Sequence, residues 1–240
     1  PQGWGPEKVD AYELGAKATI RGPLYGYLNF AAFYNDFSDQ QLSASLLPAP
    51  GSTASPAQAI INAGKSKIQG IEIEGQLNYS IFGLGGGYTY LDSELKSFAP
   101  VQFAGYLPSI PSNAIGDPMP LTPKHKLQLT PSIRIPVDES VGRIMLSTTF
   151  VHTSKQMAYS RGQSPYGILP ALNLWNANIS WQSVGGMPVD LSAFATNLTN
   201  KKYYTFAGAG WQSTGAELAS FGQSRMYGVR LRYSFGGEAQ

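Results

Sequence analysis

Charged side chains recur at alternate positions in several stretches, and their types limit the chemistry they support. Glu72 and Glu74 are two residues apart, as are Arg230 and Arg232, so each pair shares one face of a strand. Carboxylates and guanidiniums held this way are binding groups, suited to bidentate hydrogen bonds with an oppositely charged partner. Glu13, Lys126 and Arg134 sit in similar alternating runs. Groups for covalent chemistry are sparse. There is no cysteine, which removes thiolate nucleophiles, disulfides and thiolate metal sites. His125 and His152 are the two histidines, too few and too far apart in the pattern for a metal site. His152 with a serine could sketch a hydrolase, but no G-x-S-x-G turn occurs. Ala59 to Ser66 fits a relaxed phosphate-loop pattern. It runs into the alternation around Ile71 and Ile73, whereas phosphate binding needs a helix there. These features predict no catalytic residue, no metal and no cofactor.

Aromatic residues supply the other binding chemistry. Tyr106, Tyr159, Tyr166, Tyr203, Tyr204, Phe206 and Trp211 fall in stretches rich in Gly, Ser, Pro and Ala. Exposed aromatic rings offer large contact area at small entropic cost, although rings of this kind also pack loops or form membrane-interface belts. Trp211, flanked by Gly208, Gly210 and Gly215, is the first ligand contact to test, with Tyr203, Tyr204, Arg230 and Arg232 beside it. Basic residues held on one face suit an anionic ligand or the carboxylates of a neighbouring domain, and the sequence does not choose between them.

The elements that position these residues are strands. In Ile71 to Tyr79, Glu72, Glu74, Gln76 and Asn78 alternate with Ile, Gly, Leu and Tyr; Leu127 to Ile135 and Tyr227 to Phe235 alternate likewise. Further runs near 11–20, 26–37, 84–95, 142–154, 172–183 and 189–198 predict about nine strands, many reaching the ~10 residues a tilted strand needs to cross a bilayer. Connections alternate in length. Short ones fall at 21–24, 80–83, 136–141 and 184–188, and long ones at 38–62, 96–121, 155–170 and 199–222. That sorting predicts up-and-down hairpins with short periplasmic turns and long extracellular loops. Arg230, Arg232, Arg134, Lys126, Glu72 and Glu74 then lie opposite the apolar face, while Tyr233, Phe235, Trp175 and Trp181 stand where interfacial girdles would. A soluble sheet with one wet face would alternate similarly.

Composition favours lipid. Charged residues are 13% of the 240, against roughly 25% in an average soluble domain. The net charge of +2 leaves no footprint for nucleic acid. No apolar stretch approaches the ~18 residues of a membrane-spanning helix. The chain opens at Pro1 with no signal peptide ahead of it, and is expected to be an internal or C-terminal piece of something longer.

Several segments, in order, resemble the barrel of TonB-dependent outer-membrane receptors. Pro6 to Lys17 is similar to the family's PE-x-x-x-x-YELG-x-K segment, and Gly70-Ile71-Glu72-Ile73-Glu74 to its G-[IV]-E-[IL]-E strand. Gly87 to Glu94, Thr122-Pro123-Lys124-His125 and Ala195 to Tyr203 resemble three further motifs, and Arg230 to Phe235 resembles the aromatic-terminated last strand. The resemblance implies an all-β fold: an antiparallel up-and-down transmembrane β-barrel segment, about nine strands of a 22-stranded barrel. It implies a barrel portion over residues 1–235 and a short extension, Gly236 to Gln240, which most members lack. The family's plug domain and energy-coupling (TonB) box have no counterpart in this chain.

By the same resemblance, Glu13 and Glu72 match two barrel glutamates that pair with plug arginines. The implied function is import of a scarce ligand, most commonly a ferric siderophore, with no enzyme activity. Implied partners are outer-membrane lipid, the plug and, through it, a TonB-type energy-coupling complex; the implied location is the cell outer membrane of a Gram-negative bacterium. The other reading is a translocator or adhesin-type outer-membrane barrel without uptake function.

Overall fold

In the computed structural model, residues 5–98, 104–107, 115–159, 166–208, 210 and 214–235 are described, without the side chains of 42–45, 58 and 63. Trp211 and the Gly236–Gln240 extension lie outside them. Thirteen strands run in chain order: β1 (Lys8–Ile20), β2 (Leu24–Leu46), β3 (Ala57–Tyr79), β4 (Phe82–Phe98), β5 (His125–Ile135), β6 (Arg143–Thr153), β7 (Gln156–Met157), β8 (Ile168–Leu169), β9 (Leu172–Gln182), β10 (Val189–Thr196), β11 (Tyr204–Gly208), β12 (Leu218–Phe221) and β13 (Met226–Tyr233). Nine of them form one antiparallel sheet in the order β1-β2-β3-β4-β5-β6-β9-β10-β13, with β1 and β13 as its edges. The short pairs β7–β8 and β11–β12 are separate hairpins within the long loops. The nine strands expected from alternation are these nine, and the barrel is not closed within this chain.

Each hairpin pairs sequence neighbours, so one register carries across the sheet. Tyr12 faces Tyr34, Leu14 faces Ala32 and Ala16 faces Phe30. The same side continues through Ile71 and Ile73 to Tyr90 and Tyr88, then through Ile133 and Leu146 to Ile179, and ends at Ala193 opposite Val229 and Leu191 opposite Leu231. That apolar side is bare. Val229 is 79% exposed and Leu231 67%, with Leu14, Phe30, Leu146 and Ile179 also exposed. Apolar side chains buried among the described residues (Leu46, Ile61, Leu95, Met119, Tyr159 and Leu169) sit towards the long-loop end instead. A soluble sandwich would place its core between two sheets; this sheet keeps its apolar face outermost.

Turn chemistry fixes the short end. β3 and β4 are joined by Ser80 and Ile81 alone, with Ser80 at φ 54°, the left-handed backbone that tight hairpins require. In the turn after β5, the Asp138 carboxylate accepts from the Ser140 amide at 2.9 Å and from its hydroxyl at 2.6 Å. These bonds hold the Asp138 carboxyl below its ordinary pKa, against a smaller opposing effect of desolvation. The Trp181 indole donates to the Val141 carbonyl at 2.8 Å, tying the neighbouring turn to the sheet.

One expectation is corrected. Residues 38–62, read as a long loop, are largely strand: β2 runs on to Leu46, and β3 starts at Ala57. The ladder continues past irregularities between Phe37 and Gln41. Asp39 adopts φ 53° there, and Asn62 donates to its carbonyl at 2.7 Å. Backbone pairing needs no particular side chain, so a Gly-, Ser- and Ala-rich stretch extends the hairpin.

Candidate functional site on the polar face

The opposite side of the sheet carries polar and charged residues on every strand, interspersed with apolar ones such as Phe33, Met145 and Phe194. Along it run Glu13 and Lys17 of β1, Asn29 of β2, Glu72, Glu74 and Gln76 of β3, and Thr89 of β4. Lys126, Gln128 and Arg134 follow on β5, and Thr149 and Thr153 on β6. Asn176 and Ser180 continue it on β9, Ser192 on β10, and Arg230 and Arg232 on β13. Every charged residue assigned inward from alternation is on this face.

Glu13, Glu72 and Glu74 border one shallow depression of about 420 Å³ with Lys17, Asn29 and Thr89. Glu13 lies opposite Phe33, and Ala31, two residues before it on the same strand, lies opposite Gly15 on one side and Glu72 on the other, so only the small Ala31 side chain stands on the diagonal between the two glutamates. Asn29 donates to Glu74 at 2.8 Å. Glu13 and Glu72 have no hydrogen-bond or ion-pair partner among the described residues. Two unpaired carboxylates at one concavity can bind a cation, and a guanidinium suits their geometry.

The aromatic candidates have definite neighbours. Tyr203 lays its ring on Gly222, where an added Cβ would come within 2.1 Å of the ring. Tyr204 tilts against Phe221 at 4.9 Å between centroids while remaining exposed, and the Phe206 ring lies beside Gly208. Tyr106 donates to the Ser55 carbonyl at 2.9 Å and Tyr159 to Glu217 at 2.6 Å. These contacts shape the long loops. The histidines are closer than their spacing suggests, because His152 pairs with Leu127, two residues from His125. Both lie on the apolar side. His125 Nδ1 is 2.9 Å from the Tyr88 hydroxyl and His152 Nδ1 is 2.6 Å from Asn173 Oδ1, and no group of three potential metal ligands occurs among the described residues.

One residue escaped the sequence reading of candidate sites. Asn197, 3% exposed and at φ 49°, organises the connection between β10 and β13. Its amide donates to the Lys201 carbonyl at 2.9 Å and the Gln223 carbonyl at 3.0 Å, and its Oδ1 accepts from the Lys201 amide at 2.8 Å. Asn200 accepts from the Arg225 amide at 3.0 Å. The Asn-Leu-Thr-Asn run carried the signal: asparagine is the residue that best combines left-handed backbone with local hydrogen bonds.

Comparison with known proteins places this geometry. Residues 5–198 match the family model described as TonB dependent receptor-like, beta-barrel. A probable TonB-dependent siderophore receptor, PiuA of Acinetobacter baumannii, is 27% identical over 231 residues, covering 95% of this chain and 27% of the relative. Among solved structures, the ferric yersiniabactin uptake receptor FyuA of Yersinia pestis superposes with a TM-score of 0.72 at 17% identity, covering 96% of this chain and 30% of that one. The ferric preacinetobactin receptor BauA of Acinetobacter baumannii gives 0.65 at 24% identity, covering 95% and 30%. The chain thus spans between a quarter and a third of the length of the relatives it matches.

Proposed function

The chain belongs to the family of TonB-dependent receptor β-barrels, and on that premise we propose that it forms nine strands of the wall of an outer-membrane importer, most specifically one for ferric siderophores. One observation supports this above the rest: a nine-stranded sheet with a bare apolar side and a charge-bearing side, on which Glu13 and Glu72 stand unpaired among the described residues. In hydrocarbon the backbone must close its own hydrogen bonds and outward side chains must be apolar. The polar side then faces a lumen. A carboxylate enclosed in a filled lumen needs a partner, and the plug of a complete receptor would supply arginines to Glu13 and Glu72. The long loops, with Tyr203, Tyr204 and Trp211, would capture ligand from outside. Arg230 and Arg232 offer guanidiniums to an anionic group. Passage would follow movement of the plug under force from a TonB-type complex, with no covalent chemistry required of this chain.

The test uses the full-length receptor. The paired substitution Glu13→Gln and Glu72→Gln should speed plug exchange and lower energised ferric-siderophore uptake. Unchanged plug exchange and uptake would refute the latch. A wild-type receptor that takes up no ferric siderophore while acting as a secretion pore would favour the translocator reading.

A further inference from the structure

The register divides the polar face by charge. On β1 to β4 its midsection carries Glu13, Glu72 and Glu74 against Lys17. From β5 to β13 it carries Lys126, Arg134, Arg143, Arg230 and Arg232 against Asp190. Arg134 and Arg230 share one level. Arg134 lies opposite Met145, Met145 opposite Ser180, Ser180 opposite Ser192, and Ser192 opposite Arg230. Arg143 opposite Gln182 and Arg232 opposite Asp190 belong to the next level down. Four strand spacings separate Arg134 from Arg230, about 19 Å. All four flank the short turns, so they form a shelf at the end opposite the long loops.

Among the described residues, these guanidiniums make no ion pair with a carboxylate. The ion pairs among the described residues are Lys67 and Lys96 with Glu94. Arg134 reaches the Ser80 carbonyl at 3.4 Å. Asp190 accepts from the Ser183 amide, and Asp138 in the adjacent turn accepts from Ser140. All four are exposed in this chain; enclosed in a filled lumen, with few acids near them, they would need an anionic counterpart.

We propose that Arg134, Arg143, Arg230 and Arg232 hold an acidic flank of the domain that fills the lumen, beside the basic flank that Glu13, Glu72 and Glu74 hold. The inference rests on the plugged-barrel reading and adds a second, oppositely charged contact to it. Place in the wall selects a resident protein over passing cargo. A site on a transport route must bind weakly enough to release, and four arginines at the exit would retain an anionic chelate. Carboxylates of a resident domain neutralise them and leave the route clear. Opposite charge on the two stretches of wall also fixes the rotation of the inserted domain, since a turn that brought its basic flank to the arginines would set like charges together.

Zero-length cross-linking of the full-length receptor tests this. Arg134→Lys, Arg143→Lys, Arg230→Lys and Arg232→Lys keep the charge and introduce amines that a carbodiimide joins to carboxylates within salt-bridge distance. Mass spectrometry should find amide links from these lysines to Asp or Glu of the lumen-filling domain, suppressed at 1 M salt. Links confined to Asp138, Glu139 or Asp190, or no links, would overturn the proposal. Single-channel recording separates the two ideas: an open wild-type pore refutes the plugged barrel itself, whereas a closed pore without links refutes only the acidic contact.

Discussion

Replacing Asn197 by alanine should unlock the connection between β10 and β13. The native side chain makes three hydrogen bonds, to both backbone groups of Lys201 and to the Gln223 carbonyl. At roughly 0.5–1.5 kcal/mol each, their loss is about 2–4 kcal/mol, since the buried partners are left unpaired. Alanine at φ 49° adds strain of about 1 kcal/mol that asparagine largely avoids. Asn197→Gly loses the bonds without the strain, so the difference between the two variants isolates the backbone contribution. Asn197→Asp should match or exceed the alanine effect, because it sets a carboxylate oxygen against two carbonyls. Hydrogen exchange on the full-length receptor is the assay. Tenfold in an opening equilibrium is about 1.4 kcal/mol, so amides over 198–225 should exchange about 30- to 700-fold faster in Asn197→Gly and about 140- to 4,000-fold faster in Asn197→Ala, with β9 and β10 unaffected. Acceleration below threefold would refute the assignment of Asn197 as the organiser of this loop.

Gly26, at φ 150°, has a Cβ direction that points 1.8 Å from the Gln76 carbonyl oxygen. Gly26→Ala should therefore reduce heat-resistant folded receptor on gels, while Gly5→Ala, with open space around it, should leave it unchanged. The Asp138 turn should be pH-sensitive. Its carboxyl titrates below the ordinary value because ionisation is supported by Ser140, so the turn's order holds above the unfolded pKa and fades as pH falls through the folded one. The Ser140 amide proton shift should follow that titration, and Asp138→Asn should abolish it; a flat Ser140 shift in the wild type would refute the link.

Much of the sheet was legible because its two sides differ in polarity. Side chains must then alternate along each strand, and Ile71 to Tyr79 and Tyr227 to Tyr233 show this. Towards the long-loop end that alternation ends. Residues 38–62 therefore read as loop although their backbone remains paired. The acidic depression was half legible: alternation put Glu13 and Glu72 on one side, but only the register through Ala31 shows that a small residue lies between them. The arginine shelf needed the pairing across five strands, and Arg143 gave no sign of belonging to it. Asn197 was visible as part of a motif, whereas its partners Lys201 and Gln223 come together only when the chain returns from β12.

Spin labels placed one at a time from Met145 to Phe150 test most directly whether the apolar side meets lipid. Labels at Leu146, Thr148 and Phe150 should collide with membrane-dissolved oxygen and be shielded from a water-soluble nickel chelate, with Met145, Ser147 and Thr149 showing the opposite bias. Leu146, Thr148 and Phe150 shielded from both reagents would mean that protein covers that side, and would contradict the account.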